Sequence, residues 1–196
     1  MPTFEELEEA RRRFEQYEPR DLFYKAATEL VTLALGGKTK LSVAESLAVL
    51  LQTWNAMYYR FGHPFDNEHF DAIEKVTSLH HPDLISFRSR SMVSFTLHDS
   101  ATIKELFSDF ELVLGPVGAA KALHLLAPQF FPLWDRAIVK AYGINLGSAG
   151  QNSDKYLQFM EVVASQARQA LCDRKCNDIL KLIDEYNYCR FTKKWL

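Results

Sequence analysis

The residue types best suited to chemistry in this sequence lie between Leu114 and Gly143, in LGPVGAAKALHLLAPQFFPLWDRAIVKAYG. Asp135 follows a large aromatic, Trp134, and stands at the start of a helical pattern that ends at Gly143. A carboxylate so placed can act on a ligand in a cleft, and it can equally serve as an N-cap. Upstream, Gly115, Pro116 and Gly118 make a tight turn between two helical stretches. Backbone N–H groups at the start of the second stretch have no partner within their own helix, and the positive end of the helix dipole stands behind them. Such a turn is an anion site suited to a phosphate. Glycine at 118 lets a phosphodiester approach the main chain closely.

The elements that must hold these residues read as helices throughout. Leu7, Ala10 and Phe14 share one face of a first helix, acidic early and basic late, as the helix dipole favours. Asp21 is an expected N-cap for a second helix ending at Gly36-Gly37. Ser42 and Glu45 form a capping box for a third, expected to run to about Phe61 and to be closed by Gly62 and Pro64. A fourth spans Asn67 to Leu79, with His81-Pro82 as its stop. Thr102 and Glu105 start a helix through Leu106, Phe107 and Phe110 to Leu114, and after Gly118 the pattern is helical again as far as Ala127. The polar stretch Asn145 to Ser153 reads as a loop. Helices near Asp154 to Leu171 and Arg174 to Tyr186 complete the chain. Only Ser91 to Leu97 has any strand character. The expected fold class is all-α: one helical unit over residues 1–196, with two small lobes around a cleft. One lobe takes 42–144, including a helix-hairpin-helix near 104–127, and the other takes 1–41 with 145–196.

Composition bounds the function. With 196 residues, 47% hydrophobic and 13% aromatic, the chain can bury one sizeable core or two small ones. No stretch approaches the roughly 18 apolar residues of a membrane span, so no membrane association is expected. The charged N-terminus lacks the apolar segment of a secretory signal, and Cys172, Cys176 and Cys189 are no disulfide framework, which gives a cytoplasmic expectation. The net charge of −2 argues against a protein that coats DNA by charge alone. It leaves room for one basic face, with clusters at Arg11-Arg12-Arg13, Arg88 with Arg90, and Lys193-Lys194, or for these simply being solvated. His63, His69, His80 and His81 show no zinc-ligand spacing, His124 suits a packed histidine, and no metal or cofactor is expected.

Taken in order, the turn, aspartate and closing glycine resemble the helix-hairpin-helix, Gly-Pro, Asp motif of the DNA base-excision glycosylase superfamily. Leu114, Val117, Gly118 and Ala122 match the hairpin, and Asp135, Ile138 and Gly143 match the aspartate, the apolar position after it and the closing glycine. Leu50-Leu51-Gln52-Thr53 resembles a helix whose polar residue enters the DNA stack. The similarity covers about Leu47 to Ile144. Pro116 replaces the family's first hairpin glycine, and the lysine position of bifunctional members is Ala120, with Lys121 one residue later. The four-cysteine iron–sulfur loop of some members is missing.

The resemblance implies a monomeric enzyme acting on double-stranded DNA that contains a modified or damaged base. Asp135 is then the carboxylate that stabilises the sugar cation and orients water, or else a structural N-cap. Lys121 is a nucleophilic amine, a phosphate contact or a solvated lysine. Gly115, Val117, Gly118, Ala120 and Lys121 would meet the DNA backbone, and Gln52 and Asn55, three apart on one helix face, would fill the gap left by the flipped base. Trp54, Tyr58 and Trp134 are candidate walls of a base pocket, or core. Two other readings stand beside this one: a noncatalytic DNA-binding hairpin module, and an all-helical protein-interaction domain.

Overall fold

Helix starts follow local capping chemistry. In the computed structural model, which describes residues 1–60, 64–171 and 176–196, Thr3 and Glu6 form a reciprocal capping box at the head of α1 (Phe4–Tyr17). Ser42 and Glu45 form another at α3 (Val43–Trp54), which satisfies backbone donors that have no intrahelical partner. Between them, α2 (Leu22–Leu35) ends at Gly36. Asp21 occupies the position before α2 but makes no cap bond. Its carboxylate is drawn instead to Lys181 Nζ, 2.9 Å away.

The third helix is shorter than its pattern implies. It ends at Trp54, Asn55 caps it, and a separate short helix, α4 (Ala56–Arg60), follows. The expected end at Phe61 and Gly62 lies outside the described residues, as does His63. Asp66 caps α5 (Asn67–Leu79) through His69 N–H at 3.0 Å. His81-Pro82, expected as a stop, instead opens α6 (His81–Arg88). Proline lacks only an N–H that the first turn leaves unbonded in any case, so it starts a helix as readily as it ends one. Residues 91–97 form no strand: Met92–Ser94 and Leu97–Asp99 are 3₁₀ turns.

The remaining elements are α7 (Ser100–Leu126), α8 (Arg136–Ala141), α9 (Ser153–Leu171) and α10 (Ile179–Asn187). After α10 the backbone continues in a wider π turn over Tyr188–Lys193. The expected start of the last helix at Arg174 lies outside the described residues, as does Cys172. All regular structure among the described residues is helical, and no helix there is long and apolar enough to cross a membrane.

The core forms around α7. Ile103, Leu106, Phe107, Phe110, Leu114, Leu123 and Leu126 are fully buried along it, and α2, α3, α5 and α9 pack against it, while α1 packs on α10. One residue breaks α7: Gly115, at φ 68° and ψ 169°, turns the chain before Pro116 begins the second arm. A left-handed φ is the conformation glycine adopts without a Cβ penalty. The helical stretches before and after the turn are therefore one bent element, interrupted at Gly115 rather than extending as a loop to Gly118.

Candidate functional site

Asp135 is placed by a strapped connector. Between α7 and α8, residues 127–135 run across the core, tied by three buried polar side chains. His124 Nδ1 donates to Phe131 O at 2.8 Å, which leaves Nε2 to accept from the Tyr24 hydroxyl at 2.9 Å. Tyr156 donates to Pro132 O, and Trp134 Nε1 donates to Pro116 O, both at 2.9 Å. Burial holds His124 far below the ordinary histidine range, at about 3, so it is a neutral structural group. Trp134 is 1% exposed and packs edge-on against Phe107 and Tyr156. Its bond to Pro116 links the residue before Asp135 to the break in α7.

At the end of this connector, Asp135 Oδ1 accepts from Ile138 N–H at 2.8 Å, and Oδ2 accepts from the Thr192 hydroxyl at 2.7 Å. The N-cap geometry expected of Asp135 is present, and the carboxylate also borders a cavity of about 900 Å³. That cavity is lined by the Gly115–Gly118 turn, Trp54, Asn55, Tyr58, Lys121 and Asp184, among others. Its volume falls in the range of about 300–1,000 Å³ common for ligand sites.

The turn itself is packed from below by the end of α3. Asn55 is buried, and its Nδ2 donates to Leu114 O at 3.4 Å. A Cβ on Gly118 would stand 2.8 Å from that Nδ2 and 2.9 Å from Leu114 Cβ. Glycine at 118 is thus required by Asn55, whatever else approaches the turn. The Tyr58 hydroxyl donates to Val113 O at 3.2 Å, and its ring lies where a Cβ on Gly115 would come within 3.0 Å.

Lys121 sits deeper than a surface lysine. Its Nζ donates to Trp54 O. Burial pulls the amine down to about 8, opposed by the carboxylates of Asp135 and Asp184. An amine in this range is partly neutral near physiological pH, the form that is nucleophilic. Ala120, the other candidate for the lysine position, is fully buried and offers no side chain to a ligand.

Of the residues singled out from sequence, the cavity gathers Gly115, Val117, Gly118, Lys121, Asp135, Trp54, Asn55, Tyr58 and the edge of Trp134. It does not gather Gln52, which is exposed and apart from the lining. The expected shared face of Gln52 and Asn55 is not formed: Asn55 is buried with Leu51, four residues earlier on the same stripe, while Gln52 lies outside that stripe and is exposed. Two of the three basic clusters are engaged in the fold. Arg88 caps the C-terminal carbonyls of α7, donating to Leu125 O and Leu126 O, and Arg90 forms a bidentate pair with Asp99 at 2.8 Å. Arg11 bonds Glu185 and Asp178, while Arg12 and Arg13 pair with Glu9. In the third cluster, Lys193 reaches the cavity.

Sequence reasoning missed the residues that the C-terminal helix brings: Lys181 and Asp184 on α10, and Tyr188 and Thr192 on the π turn. It also missed an apolar rim of Leu22, Phe23 and Met57, which are 66%, 55% and 64% exposed at the cavity edge. The Lys181–Asp184 spacing was legible as an i,i+3 pair, but nothing local points either residue toward Asp135. Among the described residues, no three His, Cys, Asp or Glu side chains cluster as metal ligands would. Comparison of the chain with protein-family models, with curated proteins and with solved structures finds no match in any of the three.

Proposed function

We propose that this chain is a DNA glycosylase that hydrolyses the N-glycosidic bond of a flipped, modified or damaged base in double-stranded DNA. The observation that carries this reading is the meeting of a glycine turn, a half-buried amine and a doubly hydrogen-bonded carboxylate in one cavity. The turn at Gly115–Gly118 is the phosphate-facing half of a helix-hairpin-helix, and Val117, half-buried beside it, contacts the backbone. A base everted from the stack enters the cavity against the aromatic surface of Trp54 and Tyr58.

Asp135 then stabilises positive charge as it develops on the sugar. Its carboxylate accepts a proton from the water that attacks C1′, while the C1′–N bond breaks and the base departs with the bonding electrons. The Ile138 N–H and Thr192 hydroxyl each occupy one oxygen but leave further lone pairs for water. The exposed apolar rim is suited to wedging between bases, the role that Gln52 is too distant to play.

A second step through Lys121 is the alternative to hydrolysis alone: its neutral amine attacks the C1′ aldehyde of the ring-opened abasic sugar, water leaves as the imine forms, and β-elimination expels the 3′ phosphate. Borohydride present during the reaction would then trap a covalent protein–DNA adduct in the native protein and none in Lys121→Gln. A native protein that gives no adduct acts by hydrolysis alone.

The first test is independent of the substrate base. At one fixed salt concentration, binding to a duplex carrying a stable abasic-site analogue is compared with binding to the intact duplex. At least roughly tenfold preference for the analogue, about 1.4 kcal/mol, is expected. Equal affinity would point to a noncatalytic DNA-binding module, and no binding to either would overturn a DNA function altogether.

A further inference from the structure

The cap that Asp135 gives to α8 needs only one of its oxygens. Oδ1 accepts from Ile138 N–H at 2.8 Å, and that bond completes the N-cap. The bond from the Thr192 hydroxyl to Oδ2, at 2.7 Å, adds nothing to the helix. It acts on the carboxylate instead. The last side-chain torsion of an aspartate has broad minima, so one hydrogen bond leaves the plane of the carboxylate loosely set and a second fixes it.

Thr192 reaches Asp135 on a closed turn of chain. It lies in the π turn Tyr188–Lys193 and itself borders the cavity. Lys194 follows in the left-handed region, at φ 58° and ψ 45°, and reverses the chain so that Trp195 N–H returns to Cys189 O at 2.8 Å. A lysine holds that conformation where its surroundings impose it. Here they are aromatic. The Trp195 ring stacks on Tyr17 of α1, with centroids 4.4 Å apart and 19° between the planes, and meets the Tyr188 ring edge-on at 5.9 Å. Neither Tyr17 nor Trp195 lines the cavity, yet their stack pins the loop of chain that carries Thr192.

Resting on the glycosylase reading, we infer that residues 188–195 form a clasp with Thr192 as its positioning residue: anchored by Trp195 on Tyr17, the clasp sets the plane of the Asp135 carboxylate toward C1′. A carboxylate fixed before the sugar acquires charge stabilises that charge without reorganising as the reaction proceeds. The clasp lies outside residues 47–144, the stretch that resembles the glycosylase superfamily.

The test needs no knowledge of the excised base. Binding is compared for two duplexes, one with a neutral tetrahydrofuran abasic analogue and one with a pyrrolidine analogue whose protonated nitrogen imitates the sugar cation. A site complementary to transition-state charge holds the cationic analogue more tightly, and the wild-type protein is expected to prefer it by roughly tenfold or more. Thr192→Val should lower the ratio below about threefold, whereas Thr192→Ser, which restores the hydroxyl, should keep it above about fivefold. Trp195→Ala should also lower it by about threefold, and the double variant should fall no further than Thr192→Val, because both act through one hydroxyl. Tyr17→Ala removes the other, exposed half of the stack and serves if Trp195→Ala does not fold. Tetrahydrofuran affinity should stay within about twofold in every variant, which separates positioning from loss of fold or of DNA binding. A ratio kept or raised in Thr192→Val overturns the inference, since the hydroxyl then merely occupies Oδ2. A full ratio in Trp195→Ala overturns the anchor. A wild-type ratio near one, with tetrahydrofuran still preferred over the intact duplex, overturns this inference alone. No preference for either analogue over the intact duplex overturns the glycosylase reading and this inference with it.

Discussion

At Asp135 one carboxylate does two structural jobs and has capacity left for a third. Oδ1 caps α8 through Ile138 N–H, and Oδ2 receives the Thr192 hydroxyl, so the side chain cannot rotate away from the cavity without losing both bonds. Asn at this position keeps the cap acceptor and loses the negative charge. Asp135→Asn should therefore lower base excision by about 10²–10³-fold, the loss seen when a preorganised electrostatic group is removed, with the melting temperature within about 4 °C of wild type. Excision at the wild-type rate in this variant would remove Asp135 from the chemistry. Gly118 answers a different question, that of space. Alanine there drives a Cβ into Asn55 Nδ2 and Leu114 Cβ, and overpacking of this kind costs about 1–3 kcal/mol. A denaturant midpoint unchanged in Gly118→Ala would show that Asn55 moves aside at no cost. Here the sequence was partly legible. Gly115, Gly118 and Asp135 stand out by type and spacing, whereas the reason for Gly118 is Asn55, a residue 63 positions earlier in the chain that only the fold brings to it.

Among the elements, the C-terminal one changes the site most. The π turn after α10 lets the chain deliver Thr192 to Asp135 and Tyr188 to the cavity wall, and such wide turns are frequent at functional positions. Thr192→Val keeps the shape of the side chain and removes the hydroxyl donor. It should cost about 1 kcal/mol, a fall of about 2–4 °C in melting temperature for a chain of this size, and it should reduce excision while leaving the Ile138 cap in place. A variant with unaltered melting and unaltered activity would mean that the hydroxyl contributes nothing to Asp135. Helix identity was well marked in the sequence by capping residues: Ser42 and Glu45, the glycines after α2, and the aspartate before α8. Boundaries governed by competition were not. Asp21 makes no cap bond and pairs with Lys181, and Asn55, where α3 ends, gives its amide to Leu114 O. In both cases a partner distant in sequence outcompeted the local one.

Among the described residues, several arginines are committed to the fold. Arg11, Arg88 and Arg90 are bonded internally, and the exposed cations bordering the cavity include Arg136 and Lys193. Binding to a duplex should accordingly have a modest salt dependence, with a slope of about −2 to −4 in log K against log salt, since each neutralised phosphate contributes about −0.9. A slope near −8 would require a basic surface that these residues do not form. Two half-buried groups also tie stability to pH. Asp184 is raised to about 7 from an ordinary value of 3.8, so the folded chain holds its proton through that interval and the unfolded chain does not. Its contribution to stability is full below about 3.8 and is lost as pH rises through 7. Lys121, lowered to about 8 from 10.5, makes the unfolded chain the greater proton binder between those values, so its contribution rises from pH 8 to 10.5. Melting of Asp184→Asn between pH 4 and 8 should be flatter than that of wild type, and equal slopes would place the Asp184 carboxyl in water.

The sequence by itself determined the all-helical class, most of the helices, the glycine turn and the aspartate, because helical periodicity, capping and left-handed turns are set by residues within a few positions of one another. Tertiary structure alone decided that α10 and its π turn complete the site with Asp184 and Thr192, that Gln52 is left outside while Asn55 is buried, and that Lys121 rather than Ala120 reaches the cavity. Those outcomes depend on which buried polar group finds a partner across the core. That competition is between residues far apart in the chain, and local pattern carries no record of it.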